Sequence, residues 1–268
     1  MIGVDRETLD LNDSDAIATM ISSGEWAAVI NAAAYTAVDR AEEEIVSAWA
    51  INALAPAALA NACRLAGVPI IQISTDYVFD GSDVGERAVN DPTAPLGVYG
   101  ASKRGGELAV ATSGARHAII RTSWLVSAHG SNFVRTMLRL ATTTDTLRVV
   151  ADQWGSPTNA DDLAAALGQI VMRFVEHPET PSGIWHFSNS GATNWADFAA
   201  EIFAQSSARG GPSAVVTPVA TGDYPTAARR PVNALLGHSA IVRDFGIVPR
   251  SWHAALSDIL DDLIGEPR

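Results

Sequence analysis

Tyr99 and Lys103 stand four residues apart in Tyr99-Gly-Ala-Ser-Lys103, and on a helix that spacing puts a phenol and an ammonium on one face. A nearby ammonium favours the phenolate and brings a tyrosine towards useful acid–base strength. The spacing alone is common, but Lys103 is the only lysine of the chain, and the other 17 basic residues are arginines. With four tyrosines present, a lysine placed at random follows one at this distance in about 1.5% of cases. A chain that uses arginine everywhere else keeps a compact, tunable ammonium here. The alternative is a solvated lysine on a helix surface. Ser74-Thr75-Asp76-Tyr77 follows an apolar run, and a hydroxyl there can donate to a carbonyl oxygen held beside the tyrosine. The plain alternative is a polar turn in which Asp76 serves as a cap.

Two further segments suit a flat ligand. The small side chains of Asn31-Ala-Ala-Ala34 leave backbone open to close approach, or else simply pack tightly. Asp5, after Ile2-Gly3-Val4, is placed like the acid that binds an adenosine ribose hydroxyl; Arg6 beside it suits a 2′-phosphate instead, and a surface turn is the bland reading. Other chemistries find no support. The histidines at 117, 129, 177, 186, 238 and 253 show no metal-ligand spacing, and neither GxxxxGK[ST] nor GxSxG occurs.

The elements that must position these residues alternate. Val29 to Ala34 reads as a strand entering a turn, and Ser47 to Leu65 as a helix closed by Gly67-Val68-Pro69. Strands follow at Pro69–Ile73, His117–Arg121 and Leu147–Val150. Helices follow at Tyr99–Thr112, Phe133–Ala141 and Asp161–Val175, the last capped by Asn159 or Asp161. This alternation predicts an α/β fold, a Rossmann-like doubly wound parallel sheet with its ligand site outside the carboxyl ends of the strands. Beyond about Glu176, Pro178, Pro181, Pro212, Pro218, Pro225, Pro231 and Pro249 break the chain into short pieces. Residues 1–175 are therefore expected to form the nucleotide-binding domain and 176–268 a smaller C-terminal substrate lobe.

Composition bounds the partners. The 268 residues carry 30 acidic and 18 basic side chains, a net charge of −12, which argues against a nucleic-acid partner. A single cysteine, Cys63, allows no internal disulfide and fits a reducing cytoplasm. No stretch is expected to reach the roughly 18 uncharged apolar residues of a membrane span, so no membrane partner is expected.

Taken together, these segments resemble the extended short-chain dehydrogenase/reductase family, and within it the reductases of dTDP-L-rhamnose synthesis. The likeness runs through Asn31-Ala-Ala-Ala-Tyr-Thr-Ala-Val-Asp39, Ser74-Thr-Asp-Tyr-Val-Phe-Asp-Gly81 and Pro95-Leu-Gly-Val-Tyr-Gly-Ala-Ser-Lys103. It continues through Arg121-Thr-Ser-Trp124, Asn132 to Met137, Asp152 to Thr158 and Tyr224 to Pro231. The resemblance implies NADPH- or NADH-dependent reduction of the C4 ketone of a nucleotide sugar, dTDP-4-dehydro-L-rhamnose. By the same resemblance Tyr99 protonates that ketone, Lys103 holds the nicotinamide ribose and tunes Tyr99, and Thr75 and Asp76 bind the sugar, which Trp124 flanks. Asp5, Asp10, Leu11, Ala34, Tyr35 and Thr36 line the dinucleotide site. Arg229 and Arg230 suit the substrate pyrophosphate. Sugar-nucleotide dehydratases of the superfamily carry Thr-Asp-Glu where this chain has Thr75-Asp76-Tyr77, which favours a plain reductase. The regulatory β subunit of methionine adenosyltransferase resembles the same reductases yet acts as a binding protein, and stands as the alternative. Oligomeric state, a homodimer included, and a structural Mg²⁺ are left open.

Family members begin with a strand and a GxxGxxG turn whose amides hold the cofactor pyrophosphate. By resemblance, roughly 25 residues of that pattern precede Met1. A start assigned too late is the favoured explanation, ahead of a cut chain or a defective paralogue. Charge-assisted hydrogen bonds contribute about 1.5–3 kcal/mol each, so loss of two weakens binding at least about a hundredfold. The 268-residue chain is accordingly expected to bind NAD(P)H weakly and to be poorly stable. Calorimetric titration with both cofactors checks this, and micromolar affinity would overturn it.

Overall fold

The central sheet is built of short strands rich in buried apolar residues, with helices packed on both of its faces. A computed structural model describes residues 2–265. Helix α1 (Ser14–Ser23) is capped by Asp13, whose carboxylate accepts from the amides of Asp15 and Ala16. Strand β1 (Val29–Asn31) leads through α2 (Val38–Ala41) to α3 (Ile45–Trp49), a single π turn at Ala50–Leu54 and α4 (Ala55–Ala66). Gly67, at φ 71°, ends α4 in the left-handed conformation. Then come β2 (Ile70–Thr75), α5 (Val98–Thr112) and β3 (His117–Thr122). The chain goes on through β4 (Leu125–Val126), α6 (Phe133–Ala141), β5 (Thr146–Val150), β6 (Trp154–Gly155) and β7 (Thr158–Asn159). The remaining elements are α7 (Ala160–Glu176), β8 (Gly183–His186), β9 (Thr193–Asn194), α8 (Trp195–Ala208), β10 (Val215–Val219), α9 (Ser239–Phe245) and α10 (Trp252–Ile264).

The sheet has the order β1-β2-β3-β8 and is parallel throughout. Successive residues of β2 and β3 are buried on opposite faces, as expected of a parallel sheet covered on both sides. Ile70 and Ile119 pack with Ile17, Leu59, Cys63 and Val110, from α1, α4 and α5. Ile71 and Ile120 pack with Leu163, Ile170 and Phe174 of α7 and with Ile241 of α9. The doubly wound reading therefore holds. A second core joins Val134 and Met137 of α6 to Val149, Phe198, Ile202, Leu256 and Leu260.

Three expectations are corrected. Leu147–Val150 is extended but belongs to a separate two-stranded sheet, paired in parallel with β10; periodicity shows that a segment is a strand and not which strand it meets. Ile2-Gly3-Val4, which the resemblance makes a strand leading to Asp5, is exposed and forms no strand. The helical run Ile45–Ala66, 22 residues, is long and apolar enough by length and composition to cross a membrane. Part of it packs, with Leu59 and Cys63 in the core and Asn52 hydrogen-bonded to Tyr35 and Ser102, while Val46, Leu54 and Leu65 are exposed.

Close approach sets the position of α5. A Cβ on Gly106 would lie 2.1 Å from the Asn52 carbonyl oxygen, whereas one on Gly168 of α7 would meet nothing within 4 Å. Gly106→Ala should thus cost about 1–3 kcal/mol by overpacking. Gly168→Ala should stabilise by up to about 1 kcal/mol through helix propensity alone. Thermal denaturation of the two variants should show midpoints displaced in opposite directions.

Candidate active site

The carboxyl end of β2 turns sharply at Thr75. Its Oγ1 accepts from the Tyr77 amide at 3.3 Å and donates to Asp76 Oδ1 at 2.9 Å, capping the 3₁₀ turn Asp76–Val78. Tyr99, in the first turn of α5, meets Tyr77 edge-on, with ring centroids 5.4 Å apart. Its hydroxyl lies within the influence of Thr75. Two features bring the start of α5 so close. A Cβ on Gly100 would lie 2.2 Å from the Tyr77 carbonyl oxygen, so only glycine fits there. Glu42 supplies the cap that Gly97 lacks, its Oε1 accepting from the Val98 amide at 2.8 Å, and a carboxylate suits the positive end of the helix dipole.

One turn on, Lys103 Nζ donates to the Ile73 carbonyl at 2.6 Å. One turn further, Glu107 Oε1 accepts from Ser74 Oγ at 2.6 Å and from Arg121 Nε at 2.8 Å. Residues 99, 103 and 107 thus form one stripe that engages Thr75, Ile73 and Ser74 in turn.

Burial dominates the electrostatics. It pushes the Asp76 carboxyl up to about 7 against its bond with Thr75, and pulls the Lys103 ammonium down to about 8 against the pull of Glu107. Tyr99 is pushed up to about 12 by burial, with Asp76 adding to the rise and Thr75 opposing it. The expected lowering of the Tyr99 phenol is therefore corrected, since loss of water around the hydroxyl outweighs the neighbouring groups. Two polar atoms are left ready for a ligand. Asp76 Oδ2 is buried without a partner, and Lys103, with three donors, spends one on Ile73.

The turn after β1 forms the adjoining wall. Ala32 and Ala33 are exposed, Ala34 is half-buried and Thr36 is exposed. Asn52, on the π turn, accepts from the Tyr35 amide at 2.8 Å and donates to the Tyr35 carbonyl at 3.1 Å and to Ser102 Oγ at 3.0 Å. π turns interrupting helices are frequent at functional sites. The Tyr35 hydroxyl donates to Glu44 Oε2 at 2.7 Å. An open alanine backbone, with donors spare on Lys103, fits the nicotinamide-ribose end of a dinucleotide.

The remaining candidates lie as follows. Asp5 Oδ1 accepts from the amide and hydroxyl of Thr8, and Asp10 Oδ1 from the amide and side chain of Asn12, all local turns at exposed positions. Leu11 packs against the core formed by α1 and α4. Trp124 lies two residues beyond Thr122, the register partner of Thr75. Its φ of 46° is the one positive value at a non-glycine among the described residues, a strain of the kind held at functional sites. Its ring stacks on Trp195 at 3.5 Å between centroids and covers Gly155, where a Cβ would lie 2.5 Å from it. Arg229 is exposed. Arg230 pairs bidentately with Asp39, at 2.7 Å and 3.2 Å, and its charge acts on Tyr77. Sequence reasoning missed Asn52, Glu107, Arg121 and the Asp39–Arg230 pair. The one available signal was Glu107, a lone acid two turns beyond Tyr99 on the same helical face. A groove of about 580 Å³ between α7 and α9, lined by Gln169, Met172, Arg173 and Phe245 among others, borders none of these residues.

A doubly wound parallel sheet with such a cluster at its carboxyl end is the architecture of a Rossmann-like nucleotide-binding protein. Residues 1–264 match the family model described as the RmlD substrate binding domain, and the chain belongs to that family. It is similar to the dTDP-4-dehydrorhamnose reductase of Sinorhizobium fredii, 43% identical over 248 residues, covering 92% of this chain and 84% of that protein. The dTDP-4-dehydrorhamnose reductase of Aggregatibacter actinomycetemcomitans is 41% identical over 261 residues, covering 97% and 89%. Among solved structures, a dTDP-4-dehydrorhamnose reductase from Bacillus anthracis in complex with NADP gives a TM-score of 0.89 at 34% identity, covering 96% of this chain and 88% of that one.

Asp76 offers a test of the buried site. A carboxyl raised from 3.8 to about 7 binds its proton more tightly folded than unfolded. Its favourable contribution is complete below 3.8 and is lost as the pH rises through about 7. Asp76→Asn removes the buried negative charge and should raise stability by about 1–3 kcal/mol at around pH 8.5. Near pH 4 the gain should almost vanish, as denaturant titrations at the two pH values will show.

Proposed function

We propose that this chain is an oxidoreductase that reduces the C4 ketone of dTDP-4-dehydro-L-rhamnose to dTDP-L-rhamnose with NADPH or NADH. The carrying observation is Tyr99 set beside Thr75 at the carboxyl end of β2, with Lys103 one turn on and bonded to Ile73. The names of the relatives support the substrate, and the NADP complex of the Bacillus anthracis protein supports the cofactor.

The bound nicotinamide supplies a hydride to the C4 carbon; the side chains do the rest. The Thr75 hydroxyl and the Tyr99 phenol meet the C4 oxygen, and Tyr99 gives it a proton as negative charge develops there. Asp76 Oδ2, buried and unpartnered, accepts a sugar hydroxyl. Lys103 keeps its bond to Ile73 and turns its spare donors to the nicotinamide ribose. Ala34, Tyr35 and Thr36 wall the dinucleotide, with Asn52 fixing the backbone of Tyr35. Trp124, held in its strained conformation, flanks the sugar. Arg229 and Arg230 bring positive charge to the substrate pyrophosphate, Asp39 setting the orientation of Arg230.

Loss of absorbance at the reduced-nicotinamide band with dTDP-4-dehydro-L-rhamnose at saturating reduced cofactor is the direct assay, and absence of turnover there would favour the binding-subunit reading. Tyr99→Phe should lower kcat roughly 10²–10⁴-fold with little change in substrate affinity, since the proton is needed only as the alkoxide forms. Lys103→Arg should be nearly as damaging, because a planar fork cannot replace a compact ammonium. Near-wild-type turnover by Lys103→Arg would count against that role.

A further inference from the structure

Behind Tyr99 and Lys103 lies a buried ion pair to which the proposed chemistry gives no task. Glu107 is fully buried and Arg121 is 1% exposed. The carboxylate accepts four hydrogen bonds: at Oε1 from Ser74 Oγ (2.6 Å) and Arg121 Nε (2.8 Å), at Oε2 from Arg121 Nη2 (2.9 Å) and Arg104 Nη1 (2.8 Å). Ser74 and Arg121 are register partners on β2 and β3, so a single oxygen is gripped by two strands. Arg121 is itself fixed, donating from Nη1 to the Val89 carbonyl at 3.2 Å and lying 5.0 Å above the Phe79 ring centre.

A buried pair of this kind is often no more stabilising than well-packed apolar residues. Its place in the fold shows what it touches. Lys103 precedes Glu107 by one helical turn on the same face, and its Nζ bonds the carbonyl of Ile73, the chain neighbour of Ser74. We propose that Glu107 is a positioning residue for Lys103: gripped by Ser74 and Arg121, its carboxylate fixes the height of α5 on β2 and holds the lysine as a cation at the Ile73 carbonyl. The inference rests on the reading of Lys103 as the group that meets the cofactor ribose.

The opposing influences on Lys103 support this. Burial draws its ammonium down to about 8, and Glu107 is the charge that resists. The charged and titratable groups around this layer are Tyr99, Arg104 and Glu107 on α5, and Glu42 at its N-terminus. Asp76 and Tyr77 follow β2, Arg121 lies on β3, and His186 on β8 stands 3.4 Å from Arg121. Arg121 and Arg104 share the Glu107 carboxylate, and so set how much of its field reaches Lys103.

Because Lys103 is the only lysine, isotope-labelled lysine gives one side-chain NMR signal, whose titration reads this group directly without substrate or cofactor. In the wild-type chain the signal should titrate near 8. In Glu107→Gln it should titrate at least about half a pH unit lower, and in Arg121→Gln higher, since the carboxylate is then less neutralised. A merely structural role would not move it in opposite directions. A variant that fails to fold declares itself by titrating near the ordinary lysine value of about 10.4, and the other variant then decides. Should both fail, Glu107→Gln/Arg121→Gln leaves neither charge buried alone and should still titrate below wild type. A Lys103 titration unmoved in the folded variants overturns the proposal while leaving the reductase reading intact; absent turnover with a moved titration does the reverse.

Discussion

The contact between one face of α5 and the carboxyl end of β2 is the constraint on which the rest of the structure depends. It brings the Tyr99 hydroxyl to Thr75, the Lys103 ammonium to Ile73 and the Glu107 carboxylate to Ser74. Such closeness is reached because Gly100 and Gly106 let backbone meet backbone, at the Tyr77 and Asn52 carbonyls. Buried charges on this face would be costly if left alone. The Glu107–Arg121 pair is tolerated because each of its polar groups finds a partner, and removing one member of such a pair typically costs about 3–5 kcal/mol. The sheet register is tied to the same contact, since Ser74 and Arg121 are opposed across β2 and β3.

Much of this was legible in the sequence. Periodicity gave the helices at Tyr99–Thr112, Phe133–Ala141 and Asp161–Val175 to within a residue, because amphipathic spacing is a local property. The parallel strands Ile70–Thr75 and His117–Thr122 were legible as the short, mainly apolar runs Pro69–Ile73 and His117–Arg121, buried on both faces. The partner of Leu147–Val150 was not, since pairing with Val215–Val219 depends on how the second core folds back. Nor was the Glu107–Arg121 pair, whose residues are 14 apart and meet only once α5 lies on the sheet. Arg230 read, by resemblance, as a cation for the substrate pyrophosphate, and its pairing with Asp39, 191 residues away, was not legible. The run Ile45–Ala66 was underrated: it reaches the length and composition of a membrane span, while its buried alanines let α4 lie close to its neighbours.

The electrostatic character of the site was the least legible part, because it follows from desolvation rather than from neighbours. Spacing alone suggests that an ammonium one turn from a phenol makes that phenol more acidic. In the folded chain the same layer that holds Lys103 also strips water from Tyr99, and the phenol is pushed up to about 12. That shift suits a proton donor. A phenol held near 12 keeps its proton across the neutral range, so in the proposed reduction it enters each turnover protonated. The alkoxide formed on ketone reduction is more basic still, and transfer to it runs downhill. A more acidic tyrosine would donate more readily yet would spend part of its time already deprotonated. The lysine works under the opposite demand. Its proposed binding role needs the cation, and burial has brought it down to about 8, within reach of deprotonation under mildly alkaline conditions. One buried layer thus secures the proton on Tyr99 and endangers the one on Lys103, and a carboxylate one turn beyond the lysine is what that conflict requires.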